Sequence, residues 1–205
     1  MRVAGSLWSV PAGERLAEAV RLRDAGLTVL HWDLTDGVFA RPGGFTADAA
    51  RELTARTGLA AEAHLMVTRP LDHVDAWTGF CELVVVHAEA YGWREAAARV
   101  EARGARPGLA LSPGTPPTEA PAELDVLVMS ITPGHAGARF EDSALRSLRQ
   151  ARSLGLARMV GVDGGLTREA AMRAVAAGAD WIVSGTALFG SRDPRAWLAS
   201  VRRQA

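Results

Sequence analysis

Short apolar runs alternate with longer stretches whose apolar positions recur every three or four residues, from one end of the chain to the other. The first kind reads as strands buried on both faces and the second as amphipathic helices. The runs predict strands over residues 3–7, 29–33, 60–66, 83–87, 106–111, 126–130, 159–162 and 181–183. Between them the longer period predicts helices over 14–25, 47–57, 71–77, 93–103, 143–154, 167–177 and 194–203. Thr46 and Thr167 stand where an N-cap is needed, and a hydroxyl there can accept a first-turn backbone N–H. Glycine follows the helical segments at Gly26, Gly58, Gly104, Gly155 and Gly178, where a helix must stop before a strand. The proline-rich segment 113–121 leaves room for only a short fifth helix. No linker or low-complexity stretch interrupts the pattern.

Eight strand–helix units in series imply parallel pairing, because each crossover carries its own helix. Eight such units close into a barrel, a fold that takes roughly 250 residues. The expectation for this chain of 205 residues is an α/β fold, a single compact (β/α)8 TIM barrel with short loops occupying residues 1–205. A doubly wound open sheet is the rival, but no G-x-G-x-x-G follows the first strand.

Composition narrows the function classes. Lys+Arg 23 balances Asp+Glu 23, so no overall charge draws the chain to nucleic acid or an anionic membrane, and no basic stripe with interleaved aromatics appears. No apolar run approaches the roughly 20 residues of a membrane span, and no signal peptide opens the chain. Cys81 is the single cysteine, which excludes an internal disulfide. A cytoplasmic protein is expected. The chain contains no Lys and no Asn. Schiff-base chemistry and the decarboxylases and aldolases built on a lysine ammonium are thereby excluded.

In a barrel of this kind the site lies at the C-terminal ends of the strands. Those ends carry Ser6, the run His31-Trp32-Asp33, His64, His87-Ala88-Glu89 and Asp163. His31 and Asp33 are one residue apart and so point to the same side of a strand. With His64 and Asp163 they make a candidate two-nitrogen, two-oxygen site for one divalent metal, whose ligand types suit Zn2+, Fe2+, Mn2+ and Co2+ alike. Glycine-rich loops follow the last strands: Pro133-Gly134-His135-Ala136-Gly137, Asp163-Gly164-Gly165 and Ser184-Gly185-Thr186. Exposed backbone amides in that position bind phosphate.

The blocks around these residues resemble the ribulose-phosphate 3-epimerase family. They are Leu30-His31-Trp32-Asp33-Leu34-Thr35-Asp36-Gly37, Ala63-His64-Leu65-Met66-Val67, Val86-His87-Ala88-Glu89-Ala90, Leu127-Val128-Met129-Ser130-Ile131-Thr132-Pro133-Gly134, Val162-Asp163-Gly164-Gly165 and Val183-Ser184-Gly185-Thr186-Ala187. They occur in the family's order and span Ser6 to Phe189. The resemblance implies a metal-dependent epimerisation at C3 of a ketose phosphate by a homo-oligomer, with D-ribulose 5-phosphate and D-xylulose 5-phosphate as the leading pair. It assigns His31, Asp33, His64 and Asp163 to the metal, Asp33 and Asp163 to acid–base catalysis, and Ser6 and His64 to substrate contact. Met66 and Met129 match positions where polarisable sulfur lines the intermediate, although ordinary core packing explains them equally well.

The chemistry suits these residue types. Removing a proton alpha to a ketone requires stabilisation of the enediolate, which a divalent cation supplies as a Lewis acid. Epimerisation also needs proton carriers on opposite faces of a planar intermediate, and two aspartates from the second and seventh strands meet that need. The sequence departs from the family at Thr35, where a methionine is usual, at Val38, Ala40, Arg41 and Pro42, and at His135, Ala136 and Ala138. These departures spare the metal set and fall in substrate-facing loops. An epimerase of another sugar phosphate such as allulose 6-phosphate is therefore the first alternative. A phosphate-binding barrel lyase or synthase and an inactive sugar-phosphate binder are the others.

Overall fold

Each apolar run pairs in parallel with the next along the chain, and the last pairs with the first. The computed structural model, which describes residues 1–155 and 157–202, has a closed barrel with its strands in chain order. The strands are β1 (Arg2–Ser6), β2 (Val29–Thr35), β3 (Ala60–Met66), β4 (Leu83–His87), β5 (Arg106–Leu111), β6 (Asp125–Met129), β7 (Val160–Asp163) and β8 (Trp181–Ser184). The helices are α1 (Arg15–Asp24), α2 (Ala47–Thr57), α3 (Val74–Thr78), α4 (Trp93–Ala102), α5 (Ser143–Ser153), α6 (Arg168–Ala176), α7 (Thr186–Phe189) and α8 (Pro194–Arg202). Among the described residues, no helix is long and apolar enough to cross a membrane.

The capping chemistry read from sequence operates as expected. Thr46 accepts the Ala49 amide and Thr167 accepts the Ala170 amide. The pattern failed where proline intervened. The segment expected as one helix over 71–77 is a 3-10 turn at Pro70–Asp72 followed by α3, because the fixed φ of Pro70 opens a tight turn. Segment 113–121 holds only the 3-10 turn Pro117–Glu119. The one-turn α7 was not anticipated, and position 203 of the last expected helix lies outside the described residues.

Strand alternation splits the core in two. Outward positions such as Val3, Leu30, Trp32, Val84, Leu109 and Val162 pack with helix residues including Leu22, Leu148 and Trp197. Inward positions Ala4, Val29, Leu83, Val85, Ala110, Leu127, Met129, Trp181 and Val183 form a separate apolar cluster inside the barrel. Trp181, the largest of these, lies across Gly161 of the paired strand β7. A methyl group there would drive into the indole ring.

Gly161→Ala is therefore expected to destabilise the fold by about 1–3 kcal/mol, the range for overpacking a filled core. The check is the denaturant midpoint, which should fall at unchanged m. A wild-type midpoint would mean that Trp181 does not rest on β7 as described.

Candidate active site

The period of two that buries the inner cluster also aims the polar residues. His31 and Asp33 share the inward face of β2, His64 occupies the corresponding face of β3, and Asp163 closes β7. Their ligand atoms all lie within 4.8 Å of one another. His31 Nε2 is 3.3 Å from Asp33 Oδ1, and His64 Nδ1 is 3.4 Å from the same oxygen. Asp163 Oδ2 stands 3.6 Å from His64 Nδ1 and 4.0 Å from His31 Nε2. Both ring nitrogens are buried, and neither has a hydrogen-bond partner. Two orphaned imidazole nitrogens aimed at two carboxylates are costly inside a protein. The donor set fits a divalent cation of the kind held by mixed imidazole–carboxylate ligands.

The surrounding residues hold this set in place. Ser6 Oγ donates to Asp33 Oδ2 at 2.7 Å, leaving Oδ1 to face the histidines. Glu62, fully buried on β3, takes His31 Nδ1 at 2.7 Å, the Trp181 indole N–H at 3.0 Å and Arg2 Nε at 2.7 Å. An ionised carboxylate only accepts, so the hydrogen-bond network assigns the proton of neutral His31 to Nδ1 and frees Nε2 for a ligand. Burial alone would lower the pKa of His31, but Asp33 and Glu62 outweigh it and hold it well above the ordinary value. His64 is raised in the same way, burial being overcome by Asp163 and Asp33. Burial works against ionised Asp33, yet the two imidazoles keep its carboxyl below the usual range. It is anionic at neutral pH.

Two acidic residues near the strand ends have other employment. Asp36 organises the loop after β2, accepting the amides of Val38, Phe39 and Thr68. Burial opposes these bonds, but together they lower its pKa to about 2. Glu89 accepts the Ser112 amide and the Thr115 hydroxyl and faces His87. Burial pushes the pKa of His87 down to about 4.

A cavity of about 320 Å³ opens over the two aspartates. Its lining includes Ser6, Asp33, Met66, Met129 and Asp163, and from the glycine loops Gly134, His135, Ala136, Gly137, Gly164, Gly165, Gly185 and Thr186, while Pro133 and Ser184 of those loops do not line it. His31 and His64 are fully buried behind this wall, so His64, expected to touch substrate as well as metal, does not line the cavity. Gly164 and Gly165 have φ of +103° and +60°, and a Cβ on Gly165 would fall 2.6 Å from the Ala138 carbonyl. Only glycine lets these loops pack so closely. The loops after β2 and β6 also touch: a Cβ on Gly134 would lie 3.0 Å from both the Ala40 Cβ and the Arg41 amide nitrogen. Sequence reasoning missed Trp8, Ser9 and Arg139 of the lining, and it missed Glu62. A charged residue at an inward position of an apolar strand, two before His64, was the available signal for Glu62.

Residues 2–189 match the model of the ribulose-phosphate 3 epimerase family. The chain belongs to that family. It is 33% identical over 215 residues to the cytoplasmic isoform of ribulose-phosphate 3-epimerase from rice, covering 98% of this chain and 93% of that protein. To ribulose-phosphate 3-epimerase of Mycobacterium bovis it is 34% identical, covering 92% and 89%. Among solved structures, 3-hexulose-6-phosphate synthase from Salmonella typhimurium superposes with a TM-score of 0.70 at 14% identity, covering 100% of this chain and 98% of that one. Phosphoribosyl anthranilate isomerase from Thermus thermophilus superposes at 0.68 with 19% identity, covering 98% and 100%. At these identities the two structures speak for the barrel alone.

Family membership and the orphaned nitrogens make a definite expectation about pH. A cation held by this cluster would have to displace protons from His31 and His64, whose pKa values lie above the ordinary 6.5, so its affinity would fall as the pH drops through those raised values. The sign for the metal-free fold is opposite. A raised histidine pKa adds stability below 6.5, and that increment is lost as the pH rises through the folded-state values. Melting temperatures with and without excess cation should diverge from neutral to alkaline pH. A cation-induced gain that does not grow with pH would remove the histidines from the ligand set.

Proposed function

We propose that the chain is a metal-dependent epimerase acting at C3 of a ketose phosphate, with D-ribulose 5-phosphate and D-xylulose 5-phosphate as its substrate pair. One observation carries the reading: the carboxylates of Asp33 and Asp163 line a single cavity that is also walled by the three glycine loops. His31, Asp33, His64 and Asp163 would hold one divalent cation. Such a cation supplies Lewis-acid stabilisation for the negative charge that develops when a proton alpha to a ketone leaves.

The chain's own residues do the rest. The glycine loops and Thr186 take the phosphate, with Arg139 the only arginine lining the cavity among the described residues. Phosphate anchoring extends the sugar across the barrel mouth toward the aspartates. Asp33 removes the C3 proton from one face through a carboxylate that its imidazole neighbours keep ionised, and Ser6 fixes its orientation. Asp163, arriving from β7, returns a proton to the other face. General acid–base transfer of this kind contributes about 10²–10⁴-fold. Met66 and Met129 present sulfur to the planar intermediate and keep water from it.

Asp163→Asn should cut epimerisation by about 10²–10⁴-fold while Asp33 continues to exchange the C3 proton. NMR of ribulose 5-phosphate incubated with this variant in D2O reads both: deuterium at C3 without the epimer is the expected result. Conversion at the wild-type rate would dismiss Asp163 as the second carrier. A parallel assay on allulose 6-phosphate discriminates the alternative substrate, and turnover of that sugar alone would reassign the enzyme. Gly185→Val is expected to raise KM for the phosphorylated sugar, because the backbone could no longer approach the phosphate. An unchanged KM would place the phosphate elsewhere.

A further inference from the structure

His87 takes no part in the reaction just described, yet it is as deeply buried as the two candidate ligand histidines. Its Nε2 lies 2.9 Å from Nε2 of His64, and the two rings stack 5.0 Å apart at 24°. Its Nδ1 lies 3.2 Å from Glu89 Oε2, with the Ser112 hydroxyl at 3.4 Å. The other oxygen of Glu89 is committed to the Ser112 amide at 3.0 Å and to the Thr115 hydroxyl. Phe39 covers the His87 ring at 4.7 Å. A chain of contacts thus runs from the loop after β5, through Glu89 and His87, to the back of His64.

Hydrogen-bond polarity along this chain has one solution for neutral rings. The Glu89 carboxylate can only accept, so His87 carries its proton on Nδ1 and bears a lone pair on Nε2. The 2.9 Å contact then needs a proton from His64 Nε2. That leaves the lone pair of His64 on Nδ1, the buried atom with no partner that faces Asp33 and Asp163.

We propose that Glu89, acting through His87, fixes the tautomer of His64, so that both are positioning residues that keep His64 Nδ1 ready to bind the cation. This rests on the reading of His64 as a ligand. Glu62 does the same for His31 directly, so each ligand histidine has its own carboxylate, one adjacent and one relayed through a second imidazole. Outer-shell partners of this kind are worth about 10–100-fold in metal affinity.

Glu89→Gln tests the idea with almost no change of shape. The Ser112 amide demands the amide oxygen, which turns the NH2 group toward His87. The Glu89–His87 and His87–His64 bonds then reverse, and the proton arrives on His64 Nδ1. Ring-nitrogen NMR of the 15N-labelled, metal-free chain, recorded at alkaline pH above the raised pKa of His64, should show His64 protonated at Nε2 in the wild type and at Nδ1 in the variant. Chelator competition should show Zn2+ affinity lowered about 10–100-fold. Glu89→Asp, whose carboxylate is shorter but likewise cannot donate to His87, should retain the wild-type tautomer. A wild-type His64 protonated at Nδ1 overturns the proposal without any variant, and so does a Glu89→Gln chain with an unchanged tautomer. If the tautomer inverts while Zn2+ affinity stays the same, the relay stands and His64 is not a ligand.

Discussion

A carboxylate placed inside a barrel and away from water must have its charge answered by the protein from every side, and the position of Glu62 imposes that demand here. Its two oxygens are taken by Arg2, Trp181 and His31, which come from β1, β8 and β2. His31 and Trp181 share Oε1 while Arg2 alone answers Oε2, so losing Arg2 would leave one oxygen of a buried anion unpaired, the situation that costs most in protein interiors. The same three bonds tie the floor of the barrel to its mouth: Trp181 is packed over Gly161, while His31 is oriented toward the cavity. Catalytic geometry and barrel closure therefore share one anchor.

From that anchor the electrostatics of the mouth follow. The ligand atoms of two aspartates and two imidazoles lie within 4.8 Å of one another, and burial alone would neutralise Asp33, His31 and His64. Imidazole next to carboxylate instead favours the charged forms, which is why Asp33 is held low and both histidines high. A divalent ion substitutes for the shared protons in such an arrangement. The absence of lysine leaves no flexible ammonium to do so.

The strands, the barrel and the convergence of His31, Asp33, His64 and Asp163 were legible in the sequence, because a period of two and a chain of eight units constrain them locally. The glycine loops were legible because their residue types are demanded by backbone geometry. Glu62 was not, since a single charge in an apolar run reveals its role only when Arg2 and Trp181, distant in sequence, are seen beside it. Trp8 and Arg139 reach the cavity from loops whose paths no periodicity encodes. The parts played by Asp36 and Glu89 were hidden for the same reason. Both sit at strand ends, and only their hydrogen bonds to neighbouring loops show that one builds a turn and the other faces a histidine.

The near-contact of Gly134 with Ala40 and Arg41 joins two loops that arise on opposite sides of the barrel. Bulk added to either is felt by the other across the cavity. A lineage adapting this barrel to a different sugar cannot remodel the two loops independently. Bulk at position 40 or 41 thus limits what position 134 can carry, and the shape of the mouth is set jointly by a loop that leads away from the metal-facing strand and one that borders the phosphate-facing side.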